Sequence, residues 1–90
     1  MKQSARRFPQ KTCVKDKVKV GTVYGGKKKV TPVWFIWKGT KYPVKEITYY
    51  WQDTSGKEPL HYFSVSDGDN LFKLCFNGYT LVWYLLETFP

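Results

Sequence analysis

Apolar and polar residues alternate along most of this chain, and a period of two residues is typical of β-strands. Valines alternate with lysines through residues 14–20, which predicts a first strand that reaches Val23 or Tyr24 before a pair of glycines. The C-terminal stretch, residues 79–89, is rich in β-branched and aromatic residues, so we expect a strand there as well. No segment shows the apolar stripe of an amphipathic helix.

Two central segments predict a hairpin. Residues 33–37 are a β-branched and aromatic run, and a short turn at residues 38–40 leads into a second run at residues 41–51. Within the second run the apolar residues change parity between Val44 and Ile47. The side that faces the interior must change there, and a β-bulge near Lys45-Glu46 would produce this change.

The last third of the chain continues in the same way. It predicts a polar loop at 53–59, a strand at 60–65, a turn at 66–70 and a strand at 71–76. The pair Asn77-Gly78 follows, and it favours a type I′ hairpin turn because both residues tolerate positive φ.

The sum is an all-β fold of about six strands. We expect an antiparallel meander that forms either a curled sheet or a small SH3-like or OB-like barrel. Ninety residues suffice for one hydrophobic core. The prediction is therefore a single all-β domain over residues 13–90, preceded by a flexible basic arm over residues 1–12.

Each predicted strand has two faces, and both are apolar. One set of residues forms a plausible core: Phe35, Trp37, Tyr42, Val44, Ile47, Trp51, Phe63, Val65, Phe72, Leu74, Phe76, Trp83 and Leu85. The opposite set is Trp34, Ile36, Tyr50, Tyr62, Cys75, Val82, Tyr84 and Leu86. Antiparallel sheets often leave one face in water, but the second set is far more apolar than such a face usually is. We therefore expect something to cover it. The N-terminal segment, a second copy of the chain, or a ligand that stacks on aromatic rings would each supply one.

Positive charge is concentrated in the first third of the chain. The formal net charge is +8, and residues 1–29 contain ten of the fifteen basic residues but one of the seven acidic residues. This asymmetry indicates a polyanionic partner such as nucleic acid, or a solvated segment that keeps the protein soluble.

The sequence contains no catalytic or metal-binding constellation. Residues 21–27 match the start of a phosphate-binding loop, but Lys28 replaces the hydroxyl residue that would hold magnesium, and Pro32 opposes the helix that must follow. The single histidine, His61, has no nucleophile motif beside it. We therefore expect no enzyme activity and no cofactor.

Cysteine use and hydropathy bear on the compartment. Cys13 and Cys75 are too far apart in sequence to form a zinc motif, and the longest apolar run is far too short to cross a membrane. We expect a cytoplasmic protein with reduced thiols and no membrane contact.

The spacing of the aromatic residues from position 35 onward resembles that of a known family. The residues that carry this likeness are Phe35, Trp37, Gly39, Tyr42, Val44, Ile47, Trp51, Tyr62 to Gly68, Phe72, Leu74, Trp83 and Leu85. Over residues 33–87 the chain resembles a small uncharacterised bacterial all-β domain that occurs alone and as a C-terminal tail of some Y-family DNA polymerase-like proteins. The resemblance implies an association with DNA transactions, and it implies no catalytic residue.

Two hypotheses follow from the sequence. The first is a non-enzymatic nucleic-acid-binding accessory module that contacts single strands or the phosphate backbone. Its candidate phosphate contacts are Arg6, Arg7, Lys27, Lys28 and Lys29, and its candidate stacking residues are Trp34, Tyr50, Tyr62 and Tyr84. The second is a protein-interaction or self-assembly scaffold, such as a homodimer, that uses the second apolar face.

Overall fold

A computed structural model describes residues 12–24 and 30–89 of the chain. These residues form seven strands: β1 (Thr12–Tyr24), β2 (Val30–Trp37), β3 (Thr40–Pro43), β4 (Glu46–Ser55), β5 (Glu58–Ser66), β6 (Leu71–Asn77) and β7 (Val82–Phe89). The described part of the chain has no helix of the length and apolar character that a membrane span requires. The predicted arm lies outside these residues except for Thr12, which begins β1.

The seven strands form one antiparallel sheet in the order β3-β2-β1-β7-β6-β5-β4, curled into a half-barrel. The predicted all-β class and the curled sheet are confirmed, with seven strands in place of about six. The strands β3 and β4 lie at opposite ends of the sheet although two residues separate them. The amide of Val44 donates to the carbonyl of Val33 on β2 at 3.0 Å, and the next amide, Lys45, donates to Ser66 on β5 at 2.8 Å. These two hydrogen bonds connect the two halves of the sheet at this corner, and β3 and β4 do not pair with each other.

The hydrophobic core lies on the concave side, which we call the inner face. Its buried members are Phe35, Phe63, Val65, Phe72, Leu74, Phe76, Trp83 and Leu85, and Trp37, Tyr42 and Val44 pack against them. The curl brings β2 against β6, since the rings of Phe35 and Phe72 meet edge to face with centroids 5.0 Å apart. Most of the core predicted from residue parity is thus confirmed.

The prediction fails in β4, where Tyr50 and Trp51 exchange places. Tyr50 lies on the inner face with its ring 4.9 Å from Phe63, whereas Trp51 pairs with Tyr62 on the opposite side. The cause is a register shift between Ile47 and Tyr49 that leaves one residue unpaired. The expected change of face between Val44 and Ile47 occurs at the corner, and this second irregularity reverses it.

Two predicted connections are also wrong. The type I′ geometry belongs to Lys38-Gly39, where φ is 52° and 78°. After β6 the turn is longer: the Asn77 carbonyl accepts from Leu81, and its side-chain oxygen accepts from the amides of Tyr79 and Thr80. The predicted polar loop at 53–59 is instead the tip of the β4–β5 hairpin, in which Ser55 pairs with Glu58 across Gly56-Lys57.

Candidate functional site

The convex side of the half-barrel, which we call the outer face, carries aromatic and lysine side chains where a solvated sheet would carry small polar ones. Successive residues of a strand point to opposite faces, and residues paired across strands point to the same face. The buried positions therefore identify the outward ones. In β1, for example, Val18 and Val20 pack on the core and Lys17 and Lys19 point outward.

One row of outward residues crosses five strands. Trp51 on β4 pairs with Tyr62 on β5, Tyr62 with Cys75 on β6, Cys75 with Tyr84 on β7, and Tyr84 with Lys17 on β1. We call these five residues the outer row. At the usual spacing of strands, its aromatic part from Trp51 to Tyr84 is about 14 Å long.

The β4 end of the outer row is a stacked aromatic cluster. The rings of Trp51 and Tyr62 lie 4.8 Å apart and nearly parallel, at 13°, and the exposed ring of Tyr49 lies 5.2 Å from Trp51. The ammonium group of Lys73 lies 5.0 Å from the centre of the Trp51 ring and 3.9 Å from a carboxylate oxygen of Glu87. These contacts order the rings. A base that stacks on Trp51 has to displace the Lys73 ammonium, which lies over the ring.

The middle of the outer row is neutral. Cys75 is only 6% exposed although it points outward, and burial raises the pKa of its thiol. Burial also raises the pKa of the Tyr62 hydroxyl. Both groups are therefore uncharged at neutral pH, so the row presents an aromatic surface that ends at Lys17, with Lys73 beside it.

Trp34 lies farther along the outer face, on β2. Its ring rests on Gly21 of β1, where a Cβ atom would approach the indole Cζ2 to 2.6 Å. The Lys41 ammonium lies 4.6 Å from the ring centre. Because the glycine and the lysine both contact this indole, a base can stack on Trp34 only after Lys41 moves away.

Charge on the outer face is divided between the two halves of the sheet. On β1–β3 the outward residues include Lys17, Lys19 and Lys41 and no acid, since the single acid of these strands, Asp16, accepts a hydrogen bond from the Trp37 indole at 2.9 Å. On β4–β7 the outward charges are those of Lys73 and of four acids: Glu46, Asp53, Glu58 and Glu87.

The sequence-predicted site residues have different outcomes. Trp34, Tyr62 and Tyr84 lie on the outer face as expected, although Trp34 is outside the outer row. The expected outward position of Tyr50 is wrong, because this ring packs on the core and its hydroxyl lies 2.8 Å from Nδ1 of His61. The five candidate phosphate contacts, Arg6, Arg7, Lys27, Lys28 and Lys29, lie outside the described residues.

Sequence reasoning missed six outward residues: Lys17, Lys19, Lys41, Tyr49, Trp51 and Lys73. The alternation of lysine with valine in β1 was a sufficient signal for the first two. Tyr49 and Trp51 depend on the register shift in β4, which parity alone does not reveal.

Comparison with known proteins adds no relative to this picture. No family model, no curated protein and no solved structure was found to match the chain.

Proposed function

We propose that this chain is a non-enzymatic module that binds nucleic acid on its outer face. The observation that carries the proposal is the outer row, in which Trp51, Tyr62 and Tyr84 stand in one line that ends at Lys17. Aromatic rings beside lysines are the two components by which proteins bind single strands without reading their sequence. The resemblance to a domain that accompanies Y-family DNA polymerase-like proteins favours the same function. We further propose that the protein acts in the cytoplasm.

Energetics support a role for the rings. A base that stacks on an aromatic side chain contributes about 1–3 kcal/mol, so two or three such contacts suffice for measurable affinity when lysines neutralise phosphates. The cationic segments predicted from sequence, Arg6-Arg7 and Lys27 to Lys29, would add phosphate contacts that steer the ligand to the domain.

The test is a titration of a fluorescently labelled single-stranded oligonucleotide, followed by anisotropy at low and at physiological salt. We expect binding that weakens as salt rises, and a loss of affinity in Trp51→Ala and in Tyr84→Leu, which keeps apolar bulk but has no aromatic ring. Tyr79→Ala is the matched control, because Tyr79 is a 71% exposed tyrosine in the β6–β7 turn, away from the outer row. Absence of binding at low salt would refute the proposal.

A second candidate function rests on a different observation. The edge strand β4 is ten residues long and, among the described strands, pairs with β5 alone. It carries the partly exposed Ile47 and the exposed Tyr49. Unpaired edge strands are sites at which another strand adds to a sheet. Self-assembly through β4 would appear in sedimentation as a dimer that persists at high salt and that Tyr49→Lys weakens.

A further inference from the structure

The outer face has two chemically different sides that share a border. The lysine side consists of Lys17, Lys19 and Lys41 on β1–β3, and the aromatic side consists of Tyr49, Trp51, Tyr62 and Tyr84 on β4–β7. The border lies between β1 and β7, where Lys17 pairs with Tyr84.

We infer that the ligand of this face is single-stranded nucleic acid that crosses the border between β1 and β7 along the outer row, with its bases over the aromatic side and the phosphates of its next nucleotides over the lysine side. This inference rests on the proposed function and specifies the ligand and its orientation. A single strand has a charged edge and an aromatic edge, and the outer face offers a matching surface to each.

The distribution of charge fixes this orientation. Turning the strand over would place its phosphates beside the outward acids Glu46, Asp53, Glu58 and Glu87. Among the described residues of β4–β7, Lys73 is the one outward lysine, and it already pairs with Glu87. In the described strands β1–β3 no outward acid opposes the phosphates. Lys17 on β1 and Lys41 on β3 lie two strands apart, about 10 Å at the usual strand spacing, so they can meet different phosphates of a ligand that crosses the sheet, with Lys19 beside Lys17 on β1.

Duplex nucleic acid fits this surface poorly. In a duplex the bases are stacked and paired inside, so the aromatic side would have no base faces to contact and the four outward acids of β4–β7 would meet phosphates. The lysine side alone would remain to bind the duplex. The arrangement therefore selects single strands over duplexes of the same sequence.

The experiment measures affinity as a function of salt concentration for the full chain and its variants. Each phosphate contact on a single strand contributes about 0.7 to the slope of log K against log salt. Lys17→Gln, Lys19→Gln and Lys41→Gln should each lower the slope by about that amount, and Lys41→Arg, which keeps the charge over Trp34, should restore it. Contacts from residues outside the described part of the chain are common to all variants and cancel in the differences.

Variants of the aromatic side should behave differently. Trp51→Ala and Tyr84→Leu should weaken binding about 5- to 140-fold with an unchanged slope, because stacking releases no counterions. Lys57→Gln, in the exposed β4–β5 turn, is the control and should change neither quantity. Thermal unfolding of each variant verifies that the fold is retained.

The outcomes separate this inference from the function on which it rests. If no oligonucleotide binds even at low salt, the proposed function fails and this inference fails with it. If oligonucleotides bind but a duplex binds equally well, or if the lysine-side variants leave the slope unchanged, the protein binds nucleic acid in some other way and the inferred orientation is wrong. Tight binding of single strands, weak binding of duplex and the two distinct variant signatures would establish it.

Discussion

The substitution Gly21→Ala, which adds a methyl group, tests directly whether the Trp34 indole packs on Gly21. The φ angle of Gly21 is not in the positive range, so alanine can adopt this backbone conformation. The new Cβ would lie 2.6 Å from Cζ2 of the Trp34 indole and closer still to Cε2 and Nε1. Carbon atoms in contact prefer about 3.5–4.0 Å, so the indole has to move by about 1 Å or more.

The magnitude follows from two opposing effects. Overpacking a fixed ring costs about 1–3 kcal/mol, and the move also disturbs the contact between the indole and Lys41. Replacing glycine by alanine at an allowed conformation stabilises by about 0.4–1 kcal/mol through the unfolded chain. We therefore expect Gly21→Ala to lower the free energy of unfolding by about 1–2 kcal/mol.

The assay is a double-mutant cycle by urea denaturation with Trp34→Ala as the second change. Once the indole is absent, Gly21→Ala should become neutral or stabilising by about 0.4–1 kcal/mol. Gly39→Ala is the matched control: no atom lies within 4 Å of its Cβ position, so its cost comes from a φ of 78° and should be equal in both backgrounds. If Gly21→Ala lowers the free energy of unfolding equally in both backgrounds, the Trp34 indole does not pack on Gly21 and the reasoning is refuted.

Three further outcomes are expected. In a Cys13→Ser background, Cys75 should react with iodoacetamide at a rate set by opening of the fold, because the thiol is buried and its pKa is raised; a rate equal to that of a free thiol in buffer would contradict its burial. Asn77→Ala should lower the free energy of unfolding in urea by about 1–3 kcal/mol, since its side chain bonds two turn amides and Glu58. Burial raises the pKa of Tyr50, so the stability that its neutral form contributes is present below pH 10 and is lost as pH rises through the folded-state pKa. Tyr50→Phe should therefore unfold less steeply than the wild type above pH 10, and equal profiles by circular dichroism would speak against this effect.

Much of the fold can be predicted from the sequence because its strands alternate faithfully. Val18 and Val20 identify the inner face of β1, and Phe72, Leu74 and Phe76 identify that of β6. The side-chain period of two residues has a physical cause that acts within each strand, so it can be seen without knowing which strands pair.

What could not be predicted depends on contacts between strands. The register shift beside Thr48 exists because β4 pairs with β5 in a particular way, and one unpaired residue moves every later side chain to the other face. For this reason residue parity alone predicts the wrong face of the sheet for both Tyr50 and Trp51. The prediction of a type I′ turn at Asn77-Gly78 fails for a similar reason, because the Asn77 side chain bonds Glu58, nineteen residues away in the sequence.

The candidate site was predicted in part. The alternation of residues predicts the outer face for Tyr62 and Tyr84, but the line that they form with Trp51 depends on three strand registers that a single sequence does not contain. The candidate phosphate contacts were identified by charge density alone, which indicates the kind of partner and gives no geometry.

The corner at Val44 and Lys45 joins the two halves of the sheet. Its two amide hydrogen bonds connect β2 to β5, and the core contacts of Phe35 and Tyr42 with Phe72 hold the same halves together. The curvature of the outer face, and with it the spread of the side chains that stand on it, therefore depends on both the corner and the core. Lengthening the junction of β3 and β4 by one or two glycines would remove the constraint of the corner and leave that of the core, so the two contributions to the shape of the convex surface can be separated.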